Sequence, residues 1–412
     1  MVMPGPPKAD GIVQPMSDQW SGGIKTAKME VVWDVSEAAP DVFAAVSNDS
    51  PAVPAALEGL RSGVPFMASA APGEQGELYR IRGHNRSVCI ALSGDKSTSD
   101  VVVVKGSEPL LPDFERYLDW MQFKSFGAWP RPMMEHFPLF EGKTPGTVAL
   151  DEARKEADLA LDVQAAHLRH YGELIRLPVP LMVLALPEAI HDRVMTQLRR
   201  RMSAPALERV EPYLQRGIGM FVYHYPGPPV RVTAVGRPRY MWPGSPDMAA
   251  RKNVMEKMIP GWIQIAARLL WLGFLPSTPL AWRLGAIFDP NNSCLDGGAC
   301  DIASVYPIAD ANHDAFVMRS LAEIVGALRV VIARAFGIQL PELAQSYEQD
   351  FMMFSLGQWV KRELEQALVA EARDTLTLDR RVGDVLGGEK SLPELMTIFQ
   401  QYSSYLTVDD YA

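Results

Sequence analysis

Apolar and polar positions alternate in short bursts through the first quarter of the chain. MEVVWDV (29–35), GELYRIR (76–82), SVCIALSG (87–94) and DVVVVKG (100–106) are β-branched or alternating runs set apart by Gly, Asn, Asp and Ser. A period of two with turn residues between the runs predicts strands across residues 28–105. The period then lengthens. Phe114, Leu118, Met121 and Phe123 fall at helical spacing behind Asp113, an N-cap candidate, so 112–123 predicts a helix. In TVALDEARKEADLALDVQAAHLRHYGEL (147–174), Ala and Leu recur every three or four residues against a charged face, which predicts a long amphipathic helix. PVPLMVLAL then reads as a strand, followed by a short helix from near Glu188. GIGMFVYHY and PVRVTAV, split by Pro-Gly-Pro-Pro, read as a hairpin closing this part.

From about residue 245 the pattern becomes helical, over roughly 248–275, 312–337, 350–373 and 390–405. WIQIAARLLWLGFL (262–275) is apolar nearly all round, yet too short to span a bilayer, and it carries Arg268, so a buried helix is expected. Residues 1–27 are rich in Pro, Gly and Ser without a continuous apolar stretch, and read as a loose leader. The expected class is α+β, with a strand-rich N-terminal lobe (28–244) holding the long helix and a helical C-terminal lobe (245–412). Ligands favour the cleft between two such units.

Bulk composition narrows the function. With 412 residues, 48% hydrophobic and 22% charged, the chain can fill two or three packed units of an ordinary soluble protein. A net charge of −9 argues against nucleic acid as a partner, and no membrane segment is expected. Three cysteines, Cys89, Cys294 and Cys300, cannot build a disulfide framework or a CxxC metal pair, and suit a reducing cytoplasm. His167 and His170 are three apart on the long helix but lack a third ligand, and read as a surface pair. GxSxG, HExxH and P-loop motifs are absent.

One stretch carries chemistry: FDPNNSCLDGGACDI (288–302). Asn292 and Asp301 stand nine positions apart, and SCLDGGAC between them can form a short hairpin about Asp296-Gly297. Mg²⁺ takes oxygen ligands, with only one or two carboxylates from protein. In kinase-type phosphoryl transfer the metals sit on an Asn and a downstream Asp, while a strand lysine paired with a helix glutamate holds the phosphates. Lys105 ends the most β-prone run in the chain, and Glu152 and Glu156 lie on adjoining turns of the long helix. Arg231, Arg237 and Arg239 lie on and just after a strand, where guanidinium forks suit phosphate. FPLFEGKTPGT (137–147) reads as a connector before the long helix.

VVVVKGSEPLLPDF followed by NNSCLDGGACDI resembles the selenoprotein O-like branch of the protein-kinase-like fold. The same residues are similar to kinase-like proteins of microcin maturation clusters. The resemblance spans roughly residues 75–310 and rests on two short motifs. It implies a bilobal fold that binds ATP and Mg²⁺ and transfers AMP or phosphate to a protein, peptide or small metabolite, in natural-product tailoring among other settings. On this resemblance Lys105 holds nucleotide phosphates, and Asn292 and Asp301 hold Mg²⁺. Asn291 stands where the family places its general-base aspartate, and an amide cannot accept that proton. Asp289, three residues before Asn292, is the nearest substitute. Leu284-Gly285 replaces the family's His-Gly, and DIAS (301–304) replaces its Asp-Phe-Gly-like run. The alternatives are a catalytically degenerate kinase-like scaffold that binds a nucleotide or protein partner, and an unrelated α+β binding protein whose Asn-Asn and Asp-Gly-Gly are only turns. The C-terminal helices offer either a substrate platform or a homodimer surface.

Overall fold

A computed structural model describes residues 13–15, 29–62, 78–81, 87–93, 99–106, 148–201, 204, 208, 211, 215–232, 254–277, 287–289, 292–311, 314–335, 347–372 and 378–387. Its strands are β1 (Val13–Pro15), β2 (Glu30–Asp34), β3 (Leu78–Ile81), β4 (Ser87–Ala91), β5 (Val101–Lys105), β6 (Val148–Ala149), β7 (Val179–Ala185), β8 (Ile218–Tyr225), β9 (Phe274–Leu275) and β10 (Tyr306–Pro307). The helices are α1 (Val35–Ala38), α2 (Pro40–Asp49), α3 (Val53–Ser62), α4 (Leu150–Tyr171), α5 (Glu188–Arg201), α6 (Ile259–Trp271), α7 (Asp314–Ala335), α8 (Tyr347–Glu371) and α9 (Arg380–Gly387).

The chain is α+β, built on one antiparallel sheet in the order β1-β3-β4-β5-β8-β7-β2, with β6 also paired to β8. The four expected strands of the first quarter form. Between the first two of them, however, residues 35–62 fold as α1–α3 rather than as strand. Asp34 starts that run by accepting the Ser36 N–H at 2.9 Å, and Pro40 sits in the first turn of α2, where its missing N–H costs nothing. Val42, Val46, Val53, Leu57 and Leu60 are the buried stripe of α2 and α3, and α2 packs against α4.

β8 is the central strand, and all eight of its residues are buried. β5 lines one side of it (Val101 opposite Tyr225, Lys105 opposite Phe221), and β6 continues that line with Val148 opposite Gly219. β7 occupies the other side. With both flanks taken, β8 cannot also pair with PVRVTAV, so the expected hairpin does not form. Arg231 instead bridges antiparallel to Cys294.

α4 begins at Leu150, three residues later than expected, because Val148–Ala149 belong to the sheet. It ends at Tyr171, where Gly172 takes φ 73° and returns its N–H to the Leu168 carbonyl. α6 is buried on nearly every side, as its composition requires, and follows a π-helical turn at Val254–Met258. It packs on α8 and α7, with α9 against α7. The expected helices at 112–123 and 390–405 lie outside the described residues, as does the 137–147 connector. Among the described residues no helix is long and apolar enough to cross a membrane.

Candidate functional site

Side chains alternate along β8, so Phe221, Tyr223 and Tyr225 share a face with Lys105, while His224 points to the other. The chain leaves the sheet through β6 directly into α4. The second turn of that helix therefore rises beside the end of β5. There Lys105 Nζ meets Glu156 Oε1 in a buried ion pair, with the two residues 6% and 8% exposed. Asp301 Oδ2 lies 3.6 Å from the same ammonium, and Asp301 is itself 9% exposed. One cation thus holds two carboxylates from well-separated parts of the sequence, in surroundings dry enough to keep the charges tightly paired.

Asp301 arrives on the hairpin that the sequence suggested. Ser293 bridges Ala299, the Cys300 N–H donates to the Asn292 carbonyl at 2.8 Å, and Cys294 N–H donates to Gly298 O at 2.9 Å. The loop is Leu295–Gly297, one residue longer than an Asp-Gly turn, with Gly297 at φ 84° as the left-handed third position. Asp289 accepts the N–H groups of Asn292 and Ser293 on its carbonyl, each at 2.8 Å, and so turns the chain into the hairpin. Asn292 is buried at the hairpin's foot. Asp301 Oδ1 takes the Ala303 N–H at 3.1 Å.

The hairpin is wedged rather than loosely hung. Residues 230–232 form a third arm, with Val232 N–H to Ser293 O at 3.0 Å and Leu295 N–H to Val230 O at 2.9 Å. Tyr225 donates its hydroxyl to Asp296 Oδ1 at 3.0 Å, Arg176 reaches the Asp296 carbonyl at 3.0 Å, and Tyr223 donates to Cys300 O at 3.3 Å. Trp262 Nε1 donates to Gly298 O at 3.1 Å from α6. Burial pushes the Asp296 carboxyl up, against the Gly298 and Tyr225 donors that favour its charge. A Cβ on Gly298 would collide with the Tyr225 hydroxyl and stand 2.8 Å from the Arg176 carbonyl oxygen. The Asp-Gly-Gly run is thus explained by packing.

The expected site residues divide. Lys105, Glu156 and Asp301 converge, while Asn292 is placed by its backbone bonds at the foot of the hairpin, with Asp289 at the hairpin's entry. Arg231 is close by, its Nε donating to Cys300 Sγ at 3.4 Å. Glu152 lies one turn before Glu156 on the same side of the helix and pairs with Arg216 at 3.4 Å, and Glu156 is the glutamate that meets the lysine. Asn291, Arg237 and Arg239 lie outside the described residues. Among the described residues no group of three or more His, Cys, Asp or Glu could hold a metal ion.

Of the expected surface pair His167 and His170, only His170 is exposed. His167 is fully buried: its Nδ1–H donates to Glu173 O at 2.7 Å, and its Nε2 accepts from Arg268 at 3.1 Å. His170 Nε2 accepts from Trp271 at 3.3 Å. Burial pulls the His167 imidazolium down to about 4, although the Glu173 carbonyl favours it. Arg268 also pairs with Glu371 of α8 at 3.5 Å, so these groups fasten the end of α4 to α6 and α8.

Sequence reasoning missed a second polar cluster on the far face of the sheet, in which Ser50 and His224 are buried and Asp100 half-buried. Asp100 accepts from the Ser50 hydroxyl and, at 2.9 Å, from the Gly227 N–H; His224 Nε2 lies 3.1 Å from Ser50 Oγ. Hydrogen bonds from His224 and Ser50 hold the Asp100 carboxyl down at about 2 despite its partial burial. Only the pairing of Val102 with His224 places these residues together, and no local motif announces it.

Compared with protein-family models, with curated proteins and with solved structures, the chain matches none.

Proposed function

We propose that the chain is a bilobal, protein-kinase-like transferase that binds ATP and Mg²⁺ and moves an AMP or phosphoryl group onto a protein, peptide or small-molecule acceptor. The observation that carries this reading is the Lys105 ammonium, paired with Glu156 of α4 and 3.6 Å from Asp301. A strand lysine held by a helix glutamate beside a metal-binding aspartate is the arrangement that phosphoryl-transfer sites use. Glu156 fixes the lysine's direction, and Lys105 then offers its charge to anionic phosphate oxygens. Asn292 and Asp301 would hold the cation, and their oxygen-only donors on a braced hairpin fit Mg²⁺. When bound, Mg²⁺ neutralises triphosphate charge and orients the group to be transferred. Arg231 adds a second positive charge on the third arm of the hairpin.

A second reading is a scaffold of the same fold that binds nucleotide without transferring it. The asparagine at position 291, where the resembled family carries its general base, favours it. The test is a thermal shift of the purified protein with ATP, with and without Mg²⁺, beside Asp301→Ala. Ligand at a hundred times its dissociation constant adds about 2.7 kcal/mol to folded-state stability. A Mg²⁺-dependent rise that disappears in Asp301→Ala supports the nucleotide site. No rise in the wild-type protein defeats both readings, and a rise without any transferred AMP or phosphate on an acceptor selects the scaffold.

A further inference from the structure

Cys294 and Cys300 stand on the two arms of the Asn292–Asp301 hairpin. Because Ser293 pairs with Ala299, the side chains of residues 294 and 300 project on one face of it, diagonally across the strands. Cys300 Sγ lies 3.3 Å and Cys294 Sγ 3.8 Å from the same Asn292 carbonyl oxygen, so the two sulfurs share one acceptor. Arg231 Nε donates to Cys300 Sγ at 3.4 Å. Cys300 is 3% exposed and Cys294 0%, so a small oxidant reaches the Cys300 sulfur first. The third cysteine, Cys89, is buried in β4.

We propose that Cys294 and Cys300 form a redox-active dithiol that a peroxide-class oxidant closes into a disulfide inside the hairpin. In the first step the Cys300 sulfur attacks one peroxide oxygen, the O–O bond breaks, and a sulfenic acid and one water result. The Cys294 sulfur then attacks the Cys300 sulfur; the S–S bond forms, the S–O bond breaks, and the second water leaves. Two thiols have lost two electrons and two protons, and one peroxide has become two waters. Diagonal neighbours on antiparallel arms stand about 7–8 Å apart at Cα, whereas a disulfide wants less than about 6.8 Å. Closure therefore draws the arms together and takes the Cys300 sulfur away from Arg231. Asp301 is the next residue, so the bond repositions it against Lys105; this consequence rests on the nucleotide reading above, while the dithiol itself does not.

The experiment treats the full chain with a small excess of hydrogen peroxide, alkylates it under denaturing conditions, and maps the digested peptides by mass. The expected product is an internally linked peptide holding Cys294 and Cys300, two hydrogens lighter and unalkylated, restored by dithiothreitol, with Cys89 alkylated throughout. In Cys294→Ser, dimedone should trap the sulfenic acid on Cys300. Three alkylated thiols after peroxide treatment, or a disulfide that includes Cys89, overturns the proposal. The Mg²⁺-ATP thermal shift is read on the oxidised and reduced forms. A linked hairpin with an unchanged shift overturns the coupling to Asp301. A linked hairpin with no shift in either form leaves the dithiol standing and defeats the nucleotide reading alone.

Discussion

Lys105→Met removes the ammonium that Glu156 and Asp301 share while keeping most of the length of the side chain. At the 3.6 Å separation of Lys105 Nζ from Asp301 Oδ2, one charge pair is worth about 4–5 kcal/mol at an effective dielectric of about 20, before any cost of desolvation. Glu156, closer still to the ammonium, loses at least as much. In the variant both carboxylates stay buried, at 8% and 9% exposure, and repel one another. Breaking a buried pair by deleting one partner costs roughly 3–5 kcal/mol, and the upper half of that range is expected here. Glu156→Gln is milder, because Lys105 keeps Asp301 and the amide can still accept a hydrogen bond; about 1–2 kcal/mol is expected. Combining the two should cost less than their sum by at least about 1 kcal/mol, since the glutamine removes one of the stranded charges. Urea unfolding followed by the fluorescence of the nine tryptophans measures all three variants. The charge argument fails if Lys105→Met falls within about 0.5 kcal/mol of wild type, or if the two substitutions are additive.

Three further outcomes follow from the same geometry. Gly298→Ala should destabilise the fold by about 1–3 kcal/mol through its clash with Tyr225 and Arg176, whereas Gly357→Ala, whose Cβ would stand 3.6 Å from Arg329 Cδ in the middle of α8, should stabilise it by up to about 1 kcal/mol; denaturation midpoints decide between them. The His167 imidazolium falls from 6.5 unfolded to about 4 folded, so its stabilising contribution is complete above pH 6.5 and lost as pH falls toward 4. His167→Gln should remove that slope, worth about 3 kcal/mol across the window, and an unchanged pH dependence would refute it. The Asp100 carboxyl falls from 3.8 to about 2, so its contribution is present above pH 3.8 and lost as pH drops through 2. Its side chain is 35% exposed, so solvent screening leaves about 1 kcal/mol; Asp100→Asn should flatten the acid limb by that amount, read as the midpoint of acid unfolding.

What the sequence made legible was local. The period-two runs placed β3, β4 and β5, and nearly continuous apolarity placed β7, β8 and α6, because buried strands and buried helices need apolar side chains wherever they face protein. Asp-Gly-Gly announced a hairpin because a left-handed third position favours glycine. Pairing was not legible. PVRVTAV looks like a partner for β8 until β5 and β7 are seen on its two flanks, and residues 35–62 looked like strand until three short buried stripes showed them to be helices. The choice between Glu152 and Glu156 also turned on register, because the helix begins at Leu150 and not at Thr147. A shift of one turn moves a carboxylate from the Lys105 ammonium to the Arg216 guanidinium. The Asp100–His224–Ser50 cluster was illegible for the same reason: its members come from three separate elements, and only the β5–β8 register brings them within hydrogen-bond reach. Charged residues at the ends of buried strands therefore report a site only once the neighbouring strand is known. The sheet joins Lys105 to Glu156 through β6, and the hairpin brings Asp301 to the same ammonium. Asp301 could occupy that position only because Gly297 and Gly298 let the hairpin press against α6 and Tyr225.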